Sequence, residues 1–256
     1  MNLTGNTVLI TGGGSGIGKA LAEMLHAKGN TVIVTGRNRE KLDAVTSKNS
    51  GMKAMVLDVA DPKSIMEFTQ EVIGMYPALN VVIHNAGIMK AEKIGDGDVA
   101  IAEEEIATNL LGPIRLNSAL LPHLCQQESA TVMTVSSGLA FLPLSLNPTY
   151  CATKAAIHSY TQSLRYQLKD SPVNVIELVP PYVQTELTGE RQANDPMAMP
   201  LTEFIEEVTR ILENQPEVTE VLVERVLMQR QAEASGAYDE TFKRMNDMMV
   251  AARTGV

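Results

Sequence analysis

Short apolar runs rich in β-branched residues recur at positions 7–10, 31–35, 55–57, 81–83, 131–135 and 173–179, separated by longer stretches of mixed polarity. Continuous runs of this length read as strands buried on both faces, the habit of a parallel sheet, rather than as one-faced strands. The stretches at 19–28, 39–47, 65–75 and 103–124 have helical length. Right-handed crossovers between parallel strands place such helices on both sides of the sheet. With a short seventh strand at 220–224, the pattern predicts a doubly wound α/β fold built as a single domain over 1–256.

After position 179 the pattern changes. Pro180 and Pro181 are followed by a Met/Pro-containing stretch at 195–200 and a predicted helix at 201–212. Beyond the carboxyl end of a late strand such a segment overhangs the ligand crevice, so 186–215 is read as a substrate lid; the alternative is a surface connection that never meets ligand. The C-terminal stretch 217–256 includes a helical pattern at 238–253 with Met245, Met248 and Met249 on its apolar face. That stripe reads as core or subunit packing.

Composition narrows the possibilities. A chain of 256 residues with 45% hydrophobic content buries a full core. A net charge of -9 and a pI near 5.0 argue against a nucleic-acid or anionic-membrane partner, since both need clustered positive charge. Residues 1–6 lack the basic region and apolar stretch of a signal peptide, and no apolar run reaches membrane-span length, so a cytoplasmic protein is expected. Cys125 and Cys151 have neither CxxC nor Cys/His spacing, which predicts free thiols and no metal site.

Between the first strand and the first helix stands Thr11-Gly12-Gly13-Gly14-Ser15-Gly16-Ile17-Gly18. Glycines there let the backbone approach a pyrophosphate at a helix N-terminus, which makes the predicted fold Rossmann-type. The end of the second strand reads Thr35-Gly36-Arg37-Asn38-Arg39, with no carboxylate to accept a ribose 2′-OH. Arg37 and Arg39 offer charge-assisted contacts to a 2′-phosphate, so NADP is expected ahead of NAD; the alternative is that both are solvated charges at a helix start.

Tyr150 and Lys154 lie four residues apart in a helical pattern and project one turn apart from one face. A unit charge about 4 Å from a phenol at an effective dielectric near 20 is worth roughly 4 kcal/mol, or about 3 pKa units before desolvation. Lys154 is therefore expected to pull the phenol down from about 10.

Taken together, the chain over roughly 4–190 resembles the classical short-chain dehydrogenase/reductase family. The motifs are in register: the turn at 11–18, Asp58-Val59, Asn85-Ala86-Gly87, then Asn109, Ser137, Tyr150 and Lys154. The segments at 136–141 and 150–159 resemble a DltE-like subgroup. The resemblance implies that Tyr150 is the general acid in reduction and the base in oxidation, that Lys154 also binds the nicotinamide ribose, that Ser137 bonds the substrate oxygen, and that Asn109 holds a water linking the lysine to solvent. Ser136 competes with Ser137, which has the commoner separation from the tyrosine. The resemblance also assigns cofactor contacts to Gly12, Gly14, Ser15, Gly16, Ile17, Gly18, Asp58, Val59, Asn85, Ala86, Gly87, Pro180, Val183 and Thr185.

Departures are confined. Pro181 stands where the family has glycine, His84 where it often has asparagine, and the family's usual C-terminal segment is absent, so tetramer contacts made there do not carry over. A homodimer through the helices at 103–126 and 150–169, or a homotetramer, is expected. Phe141, Leu142, Leu144, Met89, Tyr182, Met197 and Met199 are expected to form an apolar wall, and no lysine or arginine lies between Gly138 and Thr149. These features point to an NADP(H)-dependent reductase of hydrophobic ketones or aldehydes, a carbonyl reductase working in both directions on a small-molecule substrate. A cofactor-sensing regulatory protein without turnover, and a dehydratase or epimerase, are the rival readings.

Overall fold

The computed structural model describes residues 1–254. The last two positions of the 1–256 domain and of the 217–256 segment lie outside the described residues. Strands β1 (Thr7–Thr11), β2 (Thr31–Gly36), β3 (Lys53–Val56), β4 (Leu79–His84), β5 (Ala130–Val135), β6 (Val173–Val179) and β7 (Glu220–Leu222) form one sheet in the order β3-β2-β1-β4-β5-β6-β7. Every pairing is parallel. The order reverses between β1 and β4, and a crevice opens there at the carboxyl ends of the strands.

The helices are α1 (Gly16–Ala27), α2 (Arg39–Thr46), α3 (Pro62–Met75), α4 (Ala100–Ile106), α5 (Gly112–Leu124), α6 (Pro148–Gln167), α7 (Glu190–Ala193), α8 (Leu201–Asn214), α9 (Leu227–Arg230) and α10 (Tyr238–Thr254). Alternation along each strand feeds two cores. On one face Val8, Ile10, Val32 and Val34 pack with Leu21 and Leu25 of α1 and with Phe204, Val208 and Leu212 of α8. On the other, Leu9, Ile33, Val82 and Val132 meet Phe68 and Val72 of α3, Leu116 and Leu120 of α5, and Leu164 of α6. Each fully buried Leu or Phe contributes about 1.5–3 kcal/mol of transfer free energy. Within 186–215, α8 is thus tied to the core, whereas Leu187 and Met197 are exposed.

Two elements differ from the sequence pattern. β3 starts at Lys53, ahead of the apolar run, because backbone pairing sets its extent and Ile33 of β2 pairs with Lys53. The long helix expected over 103–124 is broken by a π-helical turn at Ala107–Leu111. Pro113 has no N–H to donate to the carbonyl of Asn109 four residues back, and its ring crowds that carbonyl. Such turns are frequent at functional sites, and this one carries Asn109. No helix among the described residues is long and apolar enough to cross a membrane.

Candidate active site

The glycine turn and the loop after β4 are built against each other. Gly12 has φ +67°, and a Cβ there would lie 2.8 Å from Ala86 Cα; a Cβ on Gly18 would lie 2.3 Å from Asn85 Nδ2 and 2.4 Å from the Gly12 carbonyl oxygen. The Thr11 hydroxyl accepts from the N–H groups of Asn85 (3.0 Å) and Ala86 (3.1 Å), and Asn85 Nδ2 donates to the carbonyls of Thr11 (3.1 Å) and Gly12 (3.3 Å). α1 then begins at Ser15 with no side-chain cap and no acidic residue in its first turn. Its first N–H groups and the positive end of its dipole are left to an anion. Thr185 stands 3.4 Å from the Cβ position of Gly16, Gly14 lies against Lys41 of α2, and Ile17 packs on the core. This donor set fits a dinucleotide pyrophosphate.

Just after β2, Arg37 and Arg39 are both exposed. Arg39 Nε donates to Asp43 at 2.8 Å, while Arg37 has no ion pair among the described residues. Asp58 Oδ1 accepts from the Ala60 N–H at 2.9 Å, fixing the turn that holds Val59. On the far side of the crevice, Pro180 accepts from the Gly138 N–H at 2.9 Å. The Val183 carbonyl and the Thr185 hydroxyl both accept from Gln192 Nε2, at 2.9 and 3.1 Å.

Tyr150, Lys154, Ser137 and Asn109 converge beside Gly87. Its Cβ position is 3.3 Å from Asn109 Oδ1 and 3.7 Å from Lys154 Nζ. Asn109 is buried; its Oδ1 accepts from the Ile88 N–H and its Nδ2 donates to the Ile88 carbonyl, both at 2.9 Å, with Thr153 Oγ1 at 3.3 Å. The amide therefore fixes the loop after Gly87 to α6. Ser137 lies within hydrogen-bonding reach of the Tyr150 phenol and accepts from the Leu139 N–H at 3.1 Å. Ser136 is buried with its hydroxyl unpartnered, so Ser137 is the serine aimed at the tyrosine.

The electrostatics differ from the sequence expectation. Burial raises the Tyr150 phenol above its ordinary range, opposed by the Ser137 hydrogen bond. Lys154 does not reverse this, because its Nζ donates to the Val135 carbonyl at 2.8 Å and stands 5.5 Å from the phenol ring centroid. Burial also pushes Lys154 itself down to about 8, with Glu177 acting to raise it.

Several buried polar groups frame the site. Glu105 is fully buried, accepts from the Lys90 N–H at 2.7 Å, and is pushed up to about 7 by burial. His84 bonds Asn117 Oδ1 at 2.7 Å and is driven down to about 4 by burial, a structural histidine. Cys151 bonds the Leu144 backbone and is pushed up to about 11 by burial, which leaves the thiol inert. His158 Nδ1 meets Glu177 Oε2 at 2.8 Å, and among the described residues His158, Glu177 and Glu220 bring ligand-type atoms within 4.8 Å of one another. Arg230 holds both carboxylate oxygens of Glu220, at 2.8 and 3.3 Å, so the group is wired as an ion-pair network.

The apolar wall is rearranged relative to expectation. Leu144, Tyr150 and Cys151 pack with Met89, Leu139, Leu146, Met245 and Met249. Phe141 turns away, edge-on to His158 at 4.6 Å and under Arg230 at 4.8 Å. Met199 is buried beside Val183 in a short bridge, and Met197 is exposed. Met245 and Met249 of the expected packing stripe do pack on this cluster, whereas Met248 is exposed.

The family described as short chain dehydrogenase matches residues 6–196. An uncharacterized oxidoreductase DltE from Bacillus subtilis (strain 168) is 37% identical over 252 residues, 96% of this chain and 98% of that protein. In fold, the chain is similar to an alcohol dehydrogenase from Thermococcus sibiricus complexed with 5-hydroxy-NADP, with a TM-score of 0.76 and 24% identity over 85% of this chain and 95% of that one. It is similar also to a 3-ketoacyl-(acyl-carrier-protein) reductase from Brucella melitensis complexed with NADH, with a TM-score of 0.78 and 21% identity over 88% and 100% of the two chains. The family match over most of the length, and a relative alignable almost end to end, agree with the motifs seated around the crevice: the chain belongs to the short-chain dehydrogenase family of oxidoreductases.

Proposed function

We propose that the protein is an NADP(H)-dependent oxidoreductase that reduces a hydrophobic ketone or aldehyde to an alcohol, reversibly. The observation that carries this reading is the convergence of Tyr150, Ser137 and Lys154 in a buried, largely apolar site beside Gly87. When bound, the nicotinamide supplies or accepts the hydride. Gly12, Gly14, Ser15, Gly16, Ile17 and Gly18 hold the pyrophosphate, Asp58 and Val59 the adenine, and Arg37, with Arg39, the 2′-phosphate. Asn85, Ala86, Gly87, Pro180, Val183 and Thr185 line the nicotinamide half, and Lys154 binds its ribose.

In reduction Tyr150 gives its phenolic proton to the carbonyl oxygen while Ser137 donates a hydrogen bond to the same oxygen. A phenol raised by burial is fully protonated at neutral pH and so enters this direction in its acid form. Lys154 in its ammonium form favours the phenolate left behind. The segment 186–215 closes over the substrate, with α8 as its anchored end. The protein works in the cytoplasm as a homodimer or homotetramer; Tyr166 on α6, 72% exposed, supports a contact on that helix.

The test is initial rates of NADPH and NADH oxidation across a panel of ketones and aldehydes, with Tyr150→Phe as paired control. Turnover favouring NADPH and lost in the variant is expected. Tight NADPH binding with no Tyr150-dependent turnover would replace this reading with that of a cofactor sensor.

A further inference from the structure

Helix α10 lies beyond residue 196, where the family match ends, yet it closes one side of the site. Met245 and Met249, one turn apart, both pack against the Leu144–Tyr150–Cys151 cluster, where Met89, Leu139 and Leu146 join them. One side chain holds the helix in place. Asn246 Oδ1 accepts from the Ser145 N–H at 2.7 Å and its Nδ2 donates to the Pro143 carbonyl at 3.1 Å. Asn246 is only 8% exposed, so water competes poorly for these bonds. The start of the same loop is closed by α9: Gln229 Nε2 donates to the Met245 sulfur at 3.7 Å, and its Oε1 stands 2.2 Å from the Cβ position of Gly138. The residues following Ser137 are therefore covered at both ends by the C-terminal segment.

The wall so formed contains three thioethers and three leucines, and the charged groups that act on its Tyr150 and Cys151 from outside are the carboxylates Glu105 and Glu92, which disfavour an anionic ligand. Unbranched, polarizable methionines adapt to ligand shape and make favourable contacts with aromatic rings. A carbonyl compound whose acid group faced this wall would lose its hydration without gaining a partner.

Resting on the carbonyl-reductase reading, we propose that α10 is the outer wall of the substrate site, latched by Asn246, and that Met245 and Met249 make it selective for uncharged ketones and aldehydes bearing an aromatic arm. Helix α10 thus serves as a specificity element supplied by the same chain that carries the tyrosine.

The experiment pairs kinetics with a readout that needs no turnover. Acetophenone and cyclohexyl methyl ketone, similar in size, are compared in wild type, Met245→Leu, Met249→Leu and the double variant, changes that conserve volume and remove sulfur. The ratio of kcat/KM for the aromatic over the saturated ketone is expected to fall about 3- to 10-fold in the double variant, through KM, with NADPH affinity unchanged. In parallel, protein labelled with 13C-methyl methionine is titrated with acetophenone, the variants assigning the resonances. Ring-current shifts at Met245 and Met249 are expected. An unchanged ratio, or shifts absent from both methionines, overturns the assignment of α10. Shifts at these methionines without turnover of any carbonyl by wild type would instead sustain the wall and overturn the reductase reading.

Discussion

Replacing Glu177 by glutamine separates the electrostatics of the site from its shape. Glu177 is completely buried on β6, keeps one oxygen on His158 and leaves the other without a hydrogen-bond partner. Glutamine fills the same space and still accepts the His158 bond, so only charge is lost. Burial drives Lys154 to about 8, and Glu177 is the group that restrains the fall. A unit charge acting across one side-chain layer, on the order of 6 Å, at an effective dielectric near 20 is worth about 2–3 kcal/mol, or about 2 pH units. The ammonium of the variant should then be lost near pH ~6 rather than about 8. The sign follows from which form works: the rate is flat while Lys154 is charged and declines above its midpoint, so the substitution moves the alkaline limb toward acid. Relative to wild type, kcat for reduction should drop about 25-fold at pH 7.5 and less than about twofold at pH 5.5. Tyr150 also faces Lys154, and His158, Glu220 and Arg230 face Glu177; all are left intact. The assay is kcat against pH from 5.5 to 9.5 at saturating substrate and NADPH. An alkaline midpoint that stays within about half a unit of wild type would show that the carboxylate does not govern the lysine.

Other substitutions probe different parts of the molecule. Arg37→Ala should lower kcat/KM for NADPH about 10- to 100-fold, the worth of a charged hydrogen bond, and leave NADH within about twofold; Arg39→Ala should do less because Asp43 already holds that guanidinium, and rates with both nucleotides decide. His84 is neutral in the fold until about pH 4 but charges near 6.5 when unfolded. Unfolding by urea should therefore show about 3 kcal/mol of stability lost as pH falls from 7 to 4, and His84→Gln should flatten that slope. Gly18→Ala places a methyl group 2.3 Å from Asn85 Nδ2 and 2.4 Å from a backbone oxygen; a loss of at least about 1–3 kcal/mol in a denaturant melt is expected, together with weaker nucleotide binding.

Strand alternation and the glycine turn carry the fold in readable form, because buried parallel strands must be continuous apolar runs and a tight strand-to-helix turn must be glycine-rich. Tyr150 and Lys154 were legible for a local reason: four residues on one helix fix their common face. What lay hidden depends on distance in sequence. The break at Ala107–Leu111 traces to Pro113, a residue that helical length alone does not weigh. The direction of the Tyr150 shift depends on total burial and on where the Lys154 ammonium points, neither of which spacing reveals. Phe141 and Met199 are apolar residues in the expected loops whose side chains face His158 and the core, whereas Met245 and Met249 pack on the Leu144–Tyr150–Cys151 cluster from about 100 positions away in the chain.

Asn246 grips the 143–145 loop through the main-chain N–H of Ser145 and the main-chain carbonyl of Pro143, and its Nδ2 also donates to the Phe242 carbonyl of its own helix at 3.0 Å. Such a grip is indifferent to the side chains it spans. Pro143 and Ser145 can drift in identity while the clasp persists, whereas Leu144 is held by its burial in the cluster, and α10 can change its methionines without losing its seat. The cofactor half of the crevice has no such latitude, since Gly12 and Gly18 press directly on Asn85 and Ala86. With α10 in its proposed role as the substrate wall, one flank is interchangeable and the other is not, and transplanting the C-terminal helix would change substrate preference while the reacting groups stay where they are.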